Sequence, residues 1–490
     1  MLWPSMTPRP SAPDVQPAEG TWTKIVATIG PACEDRIGEL IDAGMSVARI
    51  NFSHGEAAGH RARVASVRRA ARERAVAIGV LADLPGPKLR LGRFPGGQRT
   101  LLEGEVVRVR QGHGVAGPGE VFFDFGGFLQ AVRPDQRMVL ADGLAVLRVT
   151  EVEDDAVVAR VVRPGVLGDR KGVHMPDSAL DYDLPTARDR ECIELARELG
   201  VDMLGISFVG RASEIEAVRA LAPEPLLVAK IERRAALEGL DAIMATCDGV
   251  MVARGDLGVE LELEQVPMVQ KTLLQAAPRA GRFTITATEM LESMIGSSRP
   301  TRAEVADVAN AVLDGSDALM LSAETAVGRF PVEAVSTMRR VVAAVEHSRR
   351  YLELPKVAWR ELEPDTANAV AMAAVRVVEA LGLRRIVCFT ESGRTVRLLS
   401  RYRPQAEIVA LSPNESTVQQ SAVLAHVRPV LFQRAPSLED MLSSASEMLV
   451  ARGLAERDEE VVFVAGVPSG VPRSTNVVKV QRVGERVRLH

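Results

Sequence analysis

The chain contains few cysteines, few aromatic residues and almost no lysine. Its four cysteines, Cys33, Cys192, Cys247 and Cys388, lie far apart and show neither a metal-ligand nor a redox spacing. That excludes a disulfide framework and suits isolated, buried thiols in a reducing compartment. With aromatics at 4%, the core must be built mainly from Val, Leu, Ile and Ala. No apolar run approaches the length of a membrane span. There is no basic excess either: the net charge of −4 argues against a nucleic-acid-binding protein. A small phosphorylated ligand stays compatible, because it needs only a local cluster of cations. The first twenty residues are Pro-rich and lack an apolar core, and read as a disordered extension rather than a secretion signal.

Only seven of the 60 basic residues are lysines. Genome base composition explains such a bias, yet it makes each remaining lysine informative, since a compact ammonium is not always replaceable by a planar guanidinium. Lys88, Lys171 and Lys230 sit inside the motifs described below.

A length of 490 residues predicts two to four domains. From residue 22, short apolar runs alternate with amphipathic helical stretches. The candidate strands are 24–30, 46–52, 77–84, 202–208, 225–231, 249–255, 283–289 and 318–324. Their two-sided hydrophobicity is that of buried parallel strands, and eight strand–helix units close naturally into a (β/α)8 TIM barrel. The barrel is expected over 21–88 and 172–350. Between its third and fourth strands, residues 89–171 read as short strands with Gly- and Asp-bearing turns, a small inserted β-barrel domain. Residues 351–490 read as an open α/β domain with mostly parallel strands.

The unusual polar residues fall at the C-terminal ends of the barrel strands, the face on which such barrels build their sites. Arg49, Asn51 and Ser53 end the second strand and Asp83 the third. Lys230 and Glu232 end the fifth, Asp256 follows the sixth, Thr286 and Thr288 end the seventh, and Ser322 and Glu324 the eighth. Glu232 and Asp256 offer two hard oxygen ligands, the number with which Mg²⁺ keeps positions for water and substrate oxygens. A structural Lys230–Glu232 ion pair is an equally acceptable reading of those two residues alone. The turn RGDLG presents free backbone N–H groups where a phosphate or carboxylate could sit, or is a plain strand-to-helix turn.

Seven segments then carry a resemblance. TKIVATIGPAC, GMSVARINFSHG, LVAKIE, GVMVARGDLGVEL, ATEMLESMI, RPTRAEVADVANAVLDGSDALMLSAETAVGRFPVEAV and TESGRTVRLLSRYRP resemble pyruvate kinase segments, in that family's order and spacing. The resemblance implies phosphoryl transfer between phosphoenolpyruvate and ADP in glycolysis. Lys230 would be the cation bridging the moving phosphoryl group. Glu232 and Asp256 would hold Mg²⁺, replaceable by Mn²⁺, and Arg49 would clamp phosphoryl oxygens. The N–H groups of Gly255 and Asp256 and the Thr288 hydroxyl would receive the substrate carboxylate. Thr288, with Ser322 in a supporting relay, lies where the enolate is protonated. ADP would contact Asn51, His54, Arg90 and Lys171, with the inserted domain closing as a lid. Thr390, Ser392, Gly393, Arg394 and Thr395 would form a phosphate-binding effector loop, though an ordinary capped helix start explains them equally well. The resemblance further implies a cytoplasmic, allosteric homotetramer, and no nucleic-acid or membrane partner is expected.

Several positions depart from the family's usual pattern. Asn51, Ser53, Asp83 and Leu84 form its monovalent-cation pocket, but Leu84 stands where Thr is common and Lys88 where Glu is common. A fixed Lys88 ammonium would replace K⁺. Glu289 stands in place of Gln, His174 and Met175 in place of Asn-Leu, and Arg233 in place of Asn. Three rival readings follow: a metal-dependent aldolase of related chemistry, a diverged paralogue with an altered substrate, or a non-catalytic metabolite sensor.

Overall fold

The computed structural model describes residues 21–353, 365–467 and 475–485, apart from positions 88, 142, 179 and 181. The expected N-terminal extension and Lys88 therefore lie outside the described residues. Eight parallel strands form: β1 Lys24–Thr28, β2 Val47–Asn51, β3 Gly79–Asp83, β4 Met203–Ile206, β5 Leu226–Ile231, β6 Gly249–Ala253, β7 Phe283–Ala287 and β8 Ala318–Leu321. They pair in sequence order, and β1 pairs with both β2 and β8, so the barrel closes.

Several strands stop one to three residues before the apolar run does, for a physical reason. Phe208, Thr288 and Glu289 have φ of 59°, 68° and 53°, a left-handed conformation that leaves the ladder. Residues 254 and 255 turn straight into the helix Arg254–Glu260. The polar ends read as strand are thus tight turns over the barrel mouth. Helices on the outside begin on explicit signals. Thr186 with Asp189, and Thr301 with Glu304, form reciprocal capping boxes that satisfy the first free N–H groups.

The insertion between β3 and β4 is all-β. It is a curled six-stranded sheet, with a two-stranded ribbon made by Gln98–Leu101 and Gly165–Gly168. Leu101, Val107, Phe123, Phe128 and Met138 give it a core of its own. Arg137 on this sheet pairs with Asp177 at 3.0 Å and with Glu262 of the barrel at 2.6 Å, joining the two across their interface.

The C-terminal domain has strands β9 Arg385–Phe389, β10 Glu407–Ser412, β11 Val427–Leu431, β12 Glu460–Gly466 and β13 Thr475–Arg482, in the order β11-β10-β9-β12-β13. The first four are parallel. β13 is antiparallel to β12 and was not foreseen, because its mixed burial lacks the continuous apolar run of its neighbours. Val26, Leu81 and Met251 inside the barrel share one apolar cluster with Val375 and Leu399 of this domain. The floor of the barrel is therefore packed against the C-terminal domain, and the polar strand ends stand at the opposite end.

Lys24 reaches across that floor. The Lys24 ammonium donates to the Val427 carbonyl at 2.7 Å. Burial lowers its pKa from 10.5 to about 8, although Glu407 and Glu346 act the other way. The folded state thus binds fewer protons than the unfolded one between these values, and stability should rise with pH across that window. Compared with Lys24→Met, the wild-type Tm is expected to gain between pH 8 and 10; a pH-independent difference would contradict the assignment.

Candidate active site

At the open end, the chain brings together Arg49 from β2, Asp83 from β3, Lys230 from β5 and Glu232 just beyond it. Lys230 Nζ lies 3.1 Å from Asp83 Oδ1 and 2.9 Å from Glu232 Oε1, and donates to Ser207 Oγ at 2.7 Å. Arg49 approaches the other Asp83 oxygen at 2.6 Å and donates to Thr28 Oγ1 at 3.0 Å. Glu232 Oε2 accepts the Phe208 N–H at 2.6 Å. Both carboxylates are almost wholly buried, with side-chain exposures of 2% for Asp83 and 1% for Glu232, so each charge must be compensated locally.

The compensation is uneven. Burial would raise the Asp83 pKa, but Lys230 and Arg49 together hold it below the ordinary value. Glu232 is pushed up to about 7, by burial first and by the charge of Asp256 next, against the pull of Lys230. Lys230 is kept charged: burial works against the ammonium, but Asp83 and Glu232 outweigh it, with a further contribution from Asp256. Asp256 stands in the first turn of the helix Arg254–Glu260 that follows β6, and its charge bears on both residues. Among the described residues no group of three or more His, Cys, Asp or Glu side chains could by itself hold a metal ion. A pair of oxygen donors, Glu232 and Asp256, remains, and that donor set fits a hard divalent cation that draws its other ligands from water and substrate.

On the other side of the mouth, Thr288 Oγ1 accepts the Gly255 N–H at 2.8 Å and donates to the Ala287 carbonyl at 2.7 Å. The N–H expected to meet a carboxylate therefore points at the threonine. Arg254 fixes this turn by donating to the Thr288 carbonyl at 2.6 Å while paired with Asp307 at 2.7 Å. The Ser322 hydroxyl is buried without a hydrogen-bond partner, while its backbone N–H donates to Glu324 at 2.7 Å. Glu289 is exposed, and Arg254 reaches its carbonyl rather than its carboxylate.

The remaining expected residues fall in three places. Asn51 Oδ1 accepts the Ser53 N–H at 3.0 Å, and His54 follows on an exposed turn. At the base of the inserted domain Arg90 bridges to Gly172 and donates to the Arg170 carbonyl at 2.8 Å, which brings Arg90 beside Lys171. In the C-terminal domain Thr390 Oγ1 accepts the Gly393 N–H at 3.0 Å, while Arg394 pairs with Asp365 at 2.8 Å. The Thr395 hydroxyl faces Thr475 at 2.6 Å, and Ser392 is exposed.

With this geometry in hand, comparison with known proteins is decisive. Residues 21–335 match the pyruvate kinase barrel domain, and residues 368–481 the pyruvate kinase alpha/beta domain. The chain belongs to the pyruvate kinase family. The pyruvate kinase of Methylorubrum extorquens is 42% identical, over 94% of this chain and 96% of its own length. That of Mycobacterium tuberculosis is 40% identical over 94% and 98%, and that of Geobacillus stearothermophilus 37% identical over 94% and 80%. The protein is accordingly a phosphotransferase of the pyruvate kinase type.

Two supports of this pyruvate kinase site escaped the sequence reading. Ser207 accepts from Lys230 and donates to the Leu84 carbonyl at 2.8 Å, and Thr28 holds Arg49. The signal was present, since both are polar residues at C-terminal strand ends, in KIVATIG and DMLGISF. Their chemistry is too common to stand out without knowing what they touch. Removing the central cation should be costly, because breaking a buried pair from one side typically costs about 3–5 kcal/mol. Lys230→Met is expected to lower the denaturation midpoint correspondingly in metal-free buffer, and an unchanged midpoint would show that the carboxylates do not depend on it.

Proposed function

We propose that the protein transfers the phosphoryl group of phosphoenolpyruvate to ADP, giving ATP and pyruvate, as a Mg²⁺-dependent step of glycolysis. The observation that carries this reading is the gathering of Lys230, Arg49 and Glu232 at the C-terminal ends of the barrel strands, with the charge of Asp256 bearing on two of them. In the reaction the bond between phosphorus and the enol oxygen breaks. A bond forms to a terminal oxygen of ADP, and the enolate left behind takes a proton to become pyruvate.

Such a transfer asks little covalent chemistry of the protein, so positioning and charge neutralisation dominate. Lys230 and Arg49 supply fixed positive charge beside the migrating group. The divalent ion, held by Glu232 and Asp256, would neutralise phosphoryl and carboxylate oxygens. In a closed, dry site each such contact is worth about 3–4 kcal/mol of barrier. Thr288, with the Asp256 N–H, receives the substrate carboxylate, while the Gly255 N–H holds the threonine in place. The unpartnered Ser322 hydroxyl supports a role in relaying a proton through water towards the enolate. Asn51, His54, Arg90 and Lys171 meet the nucleotide where the inserted domain joins the barrel, and that domain closes over it.

The monovalent ion is dispensable in this reading. Leu84 brings no side-chain oxygen to the pocket of Asn51, Ser53 and Asp83, its carbonyl is taken by Ser207, and Lys88 supplies the charge. The enzyme is further read as a cytoplasmic homotetramer, with the loop of Thr390, Ser392, Gly393, Arg394 and Thr395 receiving a phosphorylated effector. No described helix is long and apolar enough to cross a membrane.

A coupled assay for pyruvate tests the whole. Turnover is expected from phosphoenolpyruvate, ADP and Mg²⁺, to be abolished by chelation, and to fall by at least about 10²-fold in Lys230→Met. Wild-type turnover in that variant would remove the mechanism, and absence of turnover with ADP would favour a diverged paralogue. Full activity is expected in buffer free of both K⁺ and Na⁺. Restoration by K⁺ of a many-fold loss would sink the role of Lys88 and leave the rest standing.

A further inference from the structure

Arg233 follows Glu232 directly, yet its guanidinium turns away from the carboxylates. It lies over the Tyr182 ring, 4.3 Å from the centroid, and donates to the carbonyls of Leu180 and Phe208, each at 3.3 Å. Leu180 and Tyr182 belong to the segment by which the chain returns from the inserted domain. Phe208 belongs to the barrel loop whose N–H donates to Glu232. A Cβ at Gly210 would come within 2.8 Å of the guanidinium, so glycine at that position leaves room for it.

Phe208 has φ of 59°, and a bulky residue holds that conformation only where its surroundings over-determine it, at about 1–3 kcal/mol. Here the peptide is gripped from both sides: its N–H by Glu232 and its carbonyl by Arg233. The charge of Arg233 also draws down the pKa values of Tyr182 and Glu260, which burial pushes up. The hydrogen-bonded link from Arg233 to Glu232 runs through the Phe208 backbone. A guanidinium suits this task because one planar group stacks on a ring while its fork meets two carbonyls.

We propose that Arg233 is a positioning residue that ties the segment returning from the lid to the metal-binding carboxylate of Glu232, through the Phe208 peptide. In that arrangement divalent-cation affinity depends on the seating of the lid segment. The inference rests on the reading of Glu232 and Asp256 as the metal pair.

The test is Mn²⁺ binding to the full-length protein, followed by the electron paramagnetic resonance of free Mn²⁺ without substrates. Residues that orient a metal ligand typically contribute about 10–100-fold in affinity. Arg233→Asn is accordingly expected to raise the Mn²⁺ Kd about tenfold, and Arg233→Lys to recover only part of the loss. In turnover assays the metal activation constant should rise while kcat at saturating Mn²⁺ changes less than about twofold, a split that a general loss of folding would not produce. Tyr182→Leu removes the ring alone and should weaken Mn²⁺ in the same direction, and the double variant should be little worse than Arg233→Asn. Wild-type Kd in both single variants would overturn the proposal; an effect in Arg233→Asn with none in Tyr182→Leu would overturn the link to the lid segment. If wild-type protein bound Mn²⁺ no better than Glu232→Gln, the metal pair itself would fail, an outcome distinct from both.

Discussion

The mouth of this barrel is habitable for two buried carboxylates because one ammonium stands between them. Lys230 touches Asp83, Glu232 and Ser207 at once, and Arg49 covers the remaining side of Asp83. A buried charge without such a partner would neutralise itself or destabilise the fold by several kcal/mol. The compensation is uneven: Asp83 is held below its ordinary pKa by the two cations, while burial and Asp256 push Glu232 up.

Turning side chains towards that mouth takes backbone that strands do not provide. Phe208 after β4, and Thr288 and Glu289 after β7, are left-handed, and each is locked by a charged side chain. Arg233 grips Phe208, and Arg254 grips the carbonyl of Thr288 while leaning on Asp307. Two strained turns beside the site are thus each held by an arginine. In a chain with so few lysines, the planar fork took over the structural work, and Lys230 was kept where a compact charge had to fit between carboxylates.

Much of this was legible in advance. Eight apolar runs announced the barrel, and polar residues at their C-terminal ends announced the site, because a charge at the end of a buried strand needs a reason to be there. The turns were harder: FTITATE reads as one run, and nothing in its composition says that the ladder ends at Ala287. Ser207 and Thr28 were invisible as partners, since a hydroxyl gains meaning only from what it touches. Glu289 looked like an unwelcome charge near an anionic substrate, and that it is exposed was decided only by the fold. The C-terminal loop was open to two readings from its residues, and the pairing of Thr395 with Thr475, some eighty residues away, could not be read from either segment.

What the amino-acid order determined by itself was periodicity: which segments are buried strands, where helices start, and which polar residues stand at strand ends. Those properties are local, fixed by hydrophobic pattern and by capping residues within a few positions of one another. Which cation serves which carboxylate was decided only by closure of the barrel, because Arg49, Asp83, Ser207 and Lys230 come from four different strands or the loops that follow them. The same holds for Arg233, whose contacts with Leu180, Tyr182 and Phe208 span 53, 51 and 25 positions of chain. Electrostatics at a site of this kind belongs to the fold, since it depends on distance and burial, and neither exists until the strands have met.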